Sequence, residues 1–351
     1  MSGQRHLERD IVTARRGFFW VGGERVPVRQ GSAIRGQMYV QWEAPEEVTK
    51  PYPIVMIHGG GGQGTDWLGT PDGRAGWATF LLQEGYAVYV VDRPGHGRAP
   101  FHPDVLGPPG DVFTVELVSS LFTDAANGPM AHPTAHLHTE WPGSGDPDDP
   151  LVRQFAAGTG PMLADARAAH AMEQACGAAL LDEIGPAILI TATAGGPMGW
   201  LTADARPSRV KAIVAVEPVG PAFLVNPNLG LSLDWGLTAA PMTFDPPAAA
   251  PAELLKETTE TAAGPCTLQA EPARRLRNLE EIPIALVEAE ASLFAHAGPA
   301  TAAFLEQAGC HVERIALAEH GVHGNGHLMM LERNNREALG PILSWLDDTV
   351  R

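Results

Sequence analysis

The sequence predicts an α/β protein built on a mostly parallel central sheet. Three observations carry that prediction. Short apolar runs without polar alternation recur along the chain, as strands buried on both faces require. Segments with helical spacing separate the runs, which makes the connections crossovers and the sheet parallel. Glycine-rich or charged turns follow several of the runs.

In order, Gly17–Val21 and Gln37–Trp42 are extended patterns separated by turn residues, read as an N-terminal hairpin or a pair of edge strands. Pro53–Ile57 is the first buried strand, and it runs straight into His58-Gly59-Gly60-Gly61-Gly62-Gln63-Gly64. A phosphate loop would need Gly-Lys-Ser/Thr, and no lysine is present. Such a loop also suits an oxyanion hole, because glycines let backbone N–H groups face a developing negative charge. Trp77–Gln83 is helical and Gly85 ends it; Ala87–Val91 is the next strand. The turn after it, Asp92-Arg93-Pro94-Gly95-His96-Gly97-Arg98, reads as structural, with Asp92 and His96 fixing it beneath the site.

Residues 99–160 break the pattern with many prolines and glycines and the acidic run Asp146-Pro147-Asp148-Asp149. A long irregular insertion of this kind is expected to be a lid. His132, His136 and His138 lie close together in it, but a zinc site would need further ligands, so a lid-lining or solvated loop is the reading and no metal is expected. Pro161–Leu181 has helical spacing. Pro186–Thr191 is a buried strand, followed by Ala192-Thr193-Ala194-Gly195-Gly196. Strand, sharp turn and helix form the outline of a nucleophile elbow, in which small residues let strand and helix approach.

Val210–Val216 is the following strand and ends in Glu217. Residues 221–281 are a second Pro- and Ala-rich insertion, expected to belong to the same cap, with a helical piece over Ala252–Thr261. Trp235, Met242 and Phe244 are candidates for an apolar wall or for cap core. Ile282–Val287 is a strand, Pro299–Ala308 a helix and His311–Leu317 the last strand. A loop containing His320, His323 and His327 leads to a final helix over Leu328–Leu346.

The glycine-rich loop, the elbow, a carboxylate after the next strand and a Gly-His pair before the last helix occur in that order. In this the chain resembles the α/β-hydrolase superfamily, most of all bacterial carboxylesterases whose acid is a glutamate after the strand following the elbow. The most specific stretch is Gly324-Asn325-Gly326-His327-Leu328-Met329-Met330-Leu331-Glu332, similar to the family's histidine loop. The resemblance implies an α/β-hydrolase fold over residues 1–351, with cap insertions at 99–160 and 221–281. It implies a catalytic set of Thr193, Glu217 and His327, and an oxyanion hole from Gly60, Gly61 and Ala194. Glu290 is the rival acid, and His320 and His323 are rival bases.

Thr193 stands where the family has serine, and Ala192 where histidine is common. Three accounts stay open at this point. The chain is an esterase engineered or inactivated at these positions. Or Thr193 is a slow natural nucleophile. Or His327 works as acid and base without a covalent intermediate, as in a lyase or proton-transfer catalyst. A non-enzymatic, ligand-binding pseudo-hydrolase is the remaining alternative.

The composition narrows the partners. The 351-residue chain is 44% apolar, enough for a large core, and carries a net charge of −17. Nucleic acid and anionic membrane are disfavoured, since phosphate binding needs a basic surface. No apolar run is long enough for a membrane span, and the start Met1–Asp10 is polar. The expectation is a soluble cytoplasmic protein, or a periplasmic or secreted one if a leader has been removed. A small-molecule ester is the expected partner, no cofactor is implied, and a homodimer is left open. Cys176, Cys266 and Cys310 show no metal spacing and read as buried free thiols.

Overall fold

The computed structural model describes residues 12–227, 230–261 and 264–350. Met1–Asp10, whose polarity bears on the leader question, lies outside them, as do positions 228–229 and 262–263 of the second insertion.

The centre is an eight-stranded sheet. Its strands are β1 (Arg15–Val28), β2 (Gly31–Ala44), β3 (Ile54–Ile57), β4 (Val88–Asp92), β5 (Ala187–Ala192), β6 (Val210–Val216), β7 (Ile284–Glu288) and β8 (Val312–Ala316). The spatial order is β1-β2-β4-β3-β5-β6-β7-β8. β1 and β2 form an antiparallel hairpin at one edge, and β2 pairs antiparallel with β4. Every other pairing is parallel. The hairpin is longer than the sequence pattern suggests because Glu24–Val28 and Gly31–Arg35 carry the ladder into solvent.

Strand side chains divide with a period of two, as the pleat dictates. Val55, Ile57, Leu189, Ile213, Ala215, Ile284 and Leu286 face one layer, with Trp200, Leu201 and Phe304 from its helices. Ile54, Met56, Ile188, Ile190, Val214, Val216 and Val287 face the other, with Trp77, Leu81, Leu339 and Ile342. Both faces are therefore covered, which explains the uninterrupted apolar runs. The covering helices are α1 (Trp77–Gln83), α2 (Ala166–Ile184), α3 (Gly196–Ala205), α4 (Ala297–Gln307) and α5 (Asn335–Thr349).

The register brings the strand ends level. Ile57 pairs with Thr191, Ala192 with Val216, and Val216 with Val287. The residues that follow these strands thus emerge side by side on one edge.

Besides the hairpin, three boundaries differ from the sequence expectation by more than two residues. Ala252–Thr261 is not helical: a single 3-10 turn at Pro251–Glu253 precedes a strand, Lys256–Thr261, paired with Gly264–Gln269. The threonine-rich Lys-Glu-Thr-Thr-Glu-Thr run favours a pleated ribbon over a helix. α2 begins at Ala166, where the Asp165 carboxylate accepts the Ala168 N–H at 3.0 Å. Met162 and Leu163 are thereby left out of the helix. α5 begins at Asn335 rather than Leu328, because the side chains of Glu332 and Asn334 hydrogen-bond the preceding loop.

Candidate active site

The elbow is physically demanding. Thr193 follows β5 with φ of +44°, in the left-handed region that β-branched residues avoid. Its carbonyl accepts the N–H of Val219 at 2.9 Å, which holds the turn. A Cβ added at Gly195 would lie 2.5 Å from the His58 carbonyl oxygen, and one at Gly196 would lie 2.8 Å from Pro218 Cβ. One at Gly199 would meet Thr191 Cγ2 at 2.8 Å. The small residues of the sequence are explained by these close approaches, to backbone at Gly195 and to the Pro218 and Thr191 side chains at Gly196 and Gly199.

The Thr193 Oγ1 lies 2.6 Å from His327 Nε2. On the other side of the ring, His327 Nδ1 donates to Glu217 Oε2. Glu217 is buried at the end of β6, itself at φ +40°. Its carboxylate also accepts the Ala289 N–H at 2.9 Å and the Ser292 hydroxyl at 2.6 Å. The imidazole is packed by Phe294, with ring centroids 4.3 Å apart, and by Phe122 at 5.3 Å. Residues separated by more than 100 positions therefore form one hydrogen-bonded line, hydroxyl to imidazole to carboxylate.

The rivals sit elsewhere. Glu290 accepts from the Gly324 N–H at 2.8 Å and contacts His323 Nδ1 at 3.2 Å, not His327. His320 and His323 are exposed. His138 contacts the buried Glu332 at 2.8 Å, and His132 Nε2 contacts the Ala291 carbonyl at 3.2 Å, so these two go to separate partners. Trp235, Met242 and Phe244 are buried in the core with Leu237 and Ala240 and do not line the cavity. All three cysteines are free and buried.

The glycine-rich loop lies against the elbow. A Cβ at Gly59 would sit 3.1 Å from Thr193 Oγ1, and one at Gly60 would sit 3.3 Å from Ala194 Cβ. Gly60 and Ala194 line the cavity. Gly61 does not; it turns with φ +65° toward Phe113, and its carbonyl accepts the Gly160 N–H at 2.7 Å. Beneath the loop, His58 is fully buried. Burial and then the nearby Arg93 charge hold its pKa well below the ordinary histidine value. Neutral His58 donates from Nδ1 to the Gly59 carbonyl at 2.9 Å and accepts the Arg93 N–H at Nε2 at 3.1 Å. Asp92 accepts the N–H groups of Gly64 and Arg98, each at 2.7 Å, and fixes the turn as its sequence suggests.

Sequence inspection missed Arg93 and Glu173, a buried ion pair at 2.6 Å under the loop. The signal was present: a glutamate on the inward stripe of an otherwise alanine-rich helix needs a buried cation. The cavity measures about 150 Å³ and is lined by Phe113, Phe122, Phe155, Met162, Phe294 and Met330 among others.

A parallel sheet with an elbow, a histidine loop and an apolar cavity at the carboxyl edge defines an α/β-hydrolase. The comparisons agree: a family model described as alpha/beta hydrolase fold matches residues 52–252. The chain belongs to that family. It is 40% identical over 347 residues to the probable secreted lipase phiG of Fungal sp. (strain ATCC 74256), covering 96% of this chain and 91% of that one. Among solved structures, a novel bacterial esterase superposes with TM-score 0.65 at 24% identity, over 97% of both chains.

Proposed function

We propose that the protein hydrolyses a small, apolar carboxylic ester through a threonine nucleophile. The observation that supports this most is the 2.6 Å contact between Thr193 Oγ1 and His327 Nε2. In this reading His327 takes the hydroxyl proton as Oγ1 attacks the ester carbonyl carbon. The tetrahedral intermediate's oxyanion is stabilised by the N–H groups of Gly60 and Ala194, and not by Gly61, which lies outside the cavity lining. Glu217 orients the imidazole and stabilises the imidazolium. Collapse breaks the carbon–oxygen bond to the alcohol, which leaves with the proton from His327. A water molecule then attacks the acyl-threonine, gives its proton to His327, and the acid departs as Oγ1 regains a hydrogen.

The φ of +44° at Thr193 supports the elbow reading, because the left-handed turn is kept there despite Cβ branching. The elbow geometry costs on the order of 1–3 kcal/mol and is the kind of strain found at functional sites. An apolar cavity of about 150 Å³ suits a benzene-sized group, so esters with a short or aromatic moiety fit better than long acyl chains. Segment 99–160 supplies Phe113, Leu121, Phe122 and Phe155 as a cap, while segment 221–281 adds Leu231. The name of the secreted relative supports the secreted alternative for the compartment. Among the described residues no helix is long and apolar enough to cross a membrane.

The test is turnover of p-nitrophenyl acetate and benzoate. Thr193→Ser should raise kcat about tenfold by removing the branch at Cβ, and His327→Ala should abolish turnover. Activity that survives Thr193→Ala would replace this reading with acid/base catalysis. An ester retained without turnover by the wild type would make the protein a binder.

A further inference from the structure

Arg93 is buried and bonded in three directions. Its Nη1 donates to Glu173 Oε1 at 2.6 Å and to the Ala194 carbonyl at 3.3 Å; its Nη2 donates to the Gly59 carbonyl at 2.7 Å. Its backbone N–H donates to His58 Nε2, whose Nδ1 donates to that same Gly59 carbonyl. The glycine loop and the elbow are thus tied to one guanidinium, and that guanidinium is fixed by one carboxylate on α2.

A trans peptide is planar, so the C=O of one residue and the N–H of the next point in opposite directions. Two donors hold the Gly59 carbonyl toward Arg93, which turns the Gly60 N–H away from Arg93. The Val219 N–H holds the Thr193 carbonyl in the same manner, which turns the Ala194 N–H. The Nη1 contact to the Ala194 carbonyl fixes the following peptide. A loop of four consecutive glycines has no side chains to set its own peptide planes.

We infer that Arg93, Glu173 and His58 form a buried clamp that sets the direction of the Gly60 amide and braces the elbow through the Ala194 carbonyl, making Arg93 a positioning residue for oxyanion stabilisation. The inference rests on the ester-hydrolase reading for its catalytic meaning; the clamp on the loop is physical in either case. A planar fork that spans two carbonyls and a carboxylate is a task for arginine, since an ammonium is a point donor. Arg93 and Glu173 are buried at the inner wall of the cavity, so the kcat and KM effects of their loss separate positioning of the loop from contact with substrate.

The experiment uses two variants of the full chain. Arg93→Lys keeps a charge for Glu173 but cannot span the carbonyls. Arg93→Met with Glu173→Met removes both charges, so neither is left buried alone. Each is measured for kcat and KM on p-nitrophenyl acetate, for Tm, and for hydrogen exchange in the peptide containing Gly59–Gly62. The expected result is a kcat lower by at least about tenfold with KM within about threefold, and faster loop exchange. A folded Arg93→Lys protein with unchanged kcat and unchanged exchange overturns the clamp. A rise in KM alone would also overturn it, by placing Arg93 in substrate binding. If the wild type lacks esterase activity but either variant quickens loop exchange, the clamp stands and the proposed function fails.

Discussion

Glu332 accepts the backbone N–H of Gly326 on both carboxylate oxygens, at 3.0 and 3.1 Å. Gly326 directly precedes His327, so this carboxylate fixes the backbone from which the imidazole extends. Asn325 Nδ2 and His138 Nε2 add contacts of 2.8 Å each, and Glu332 is completely buried. Glu332→Gln replaces one acceptor oxygen by an amide that must face existing donors. We predict a loss of about 1–3 kcal/mol in denaturant unfolding. Ester kcat should fall about tenfold as the histidine loop loosens.

Glu217 and Glu290 give a paired test. Glu217→Gln leaves the ring without its anionic partner and should lower kcat by about 10²–10⁴. Glu290→Gln alters an acceptor for Gly324 and His323 outside the hydrogen-bonded line. Its kcat should stay within about threefold of wild type. Steady-state kinetics on one substrate decides between them, and equal losses would remove Glu217 from its role.

Ser292 donates to the same oxygen of Glu217 that faces His327. Ser292→Ala withdraws that bond and leaves the carboxylate held by the Ala289 N–H and the imidazole alone. Ester kcat should fall by about threefold to tenfold with KM little changed, as the orientation of the imidazole loosens. Steady-state kinetics on p-nitrophenyl acetate checks this, and an unchanged kcat would remove Ser292 from the support of Glu217.

Asp66 lines the cavity beside Trp67. Burial pushes its carboxyl up to about 7, against the hydrogen bond from the Gln63 N–H and with a further push from Asp92. The folded protein therefore holds a proton there that the unfolded chain releases near the ordinary carboxyl value. Stability from this group is complete at low pH and is lost progressively between about pH 4 and 7. Asp66→Asn should match wild-type stability near pH 4, gain on it up to pH 7, and hold a constant advantage above. Thermal melts across that range check the sign.

Much of the framework is legible in the sequence. The five buried parallel strands Ile54–Ile57, Val88–Asp92, Ala187–Ala192, Val210–Val216 and Ile284–Glu288 announced themselves because both sheet faces are covered and no polar alternation interrupts them. Thr193, Glu217 and His327 stood at strand ends or in a glycine-flanked loop, where turn chemistry is visible locally. What stayed hidden depended on distant partners. Ala252–Thr261 became a ribbon because Gly264–Gln269 pairs with it. The start of α5 moved because Glu332 and Asn334 bond to the histidine loop instead of entering a helix. Gly61 and Gly60 look alike in sequence, and only the packing of Phe113 and the Gly160 contact separate them. Arg93 was absorbed into a turn motif because its partner Glu173 lies 80 positions away.

The crossing at Gly195 has a practical consequence for anyone reshaping this protein. The main chain there presses against the carbonyls of Ile57 and His58 with no room for even a methyl group. Saturation libraries that reshape the cavity should leave position 195 untouched and spread their diversity over Phe155 and Leu231, which line the cavity away from this crossing.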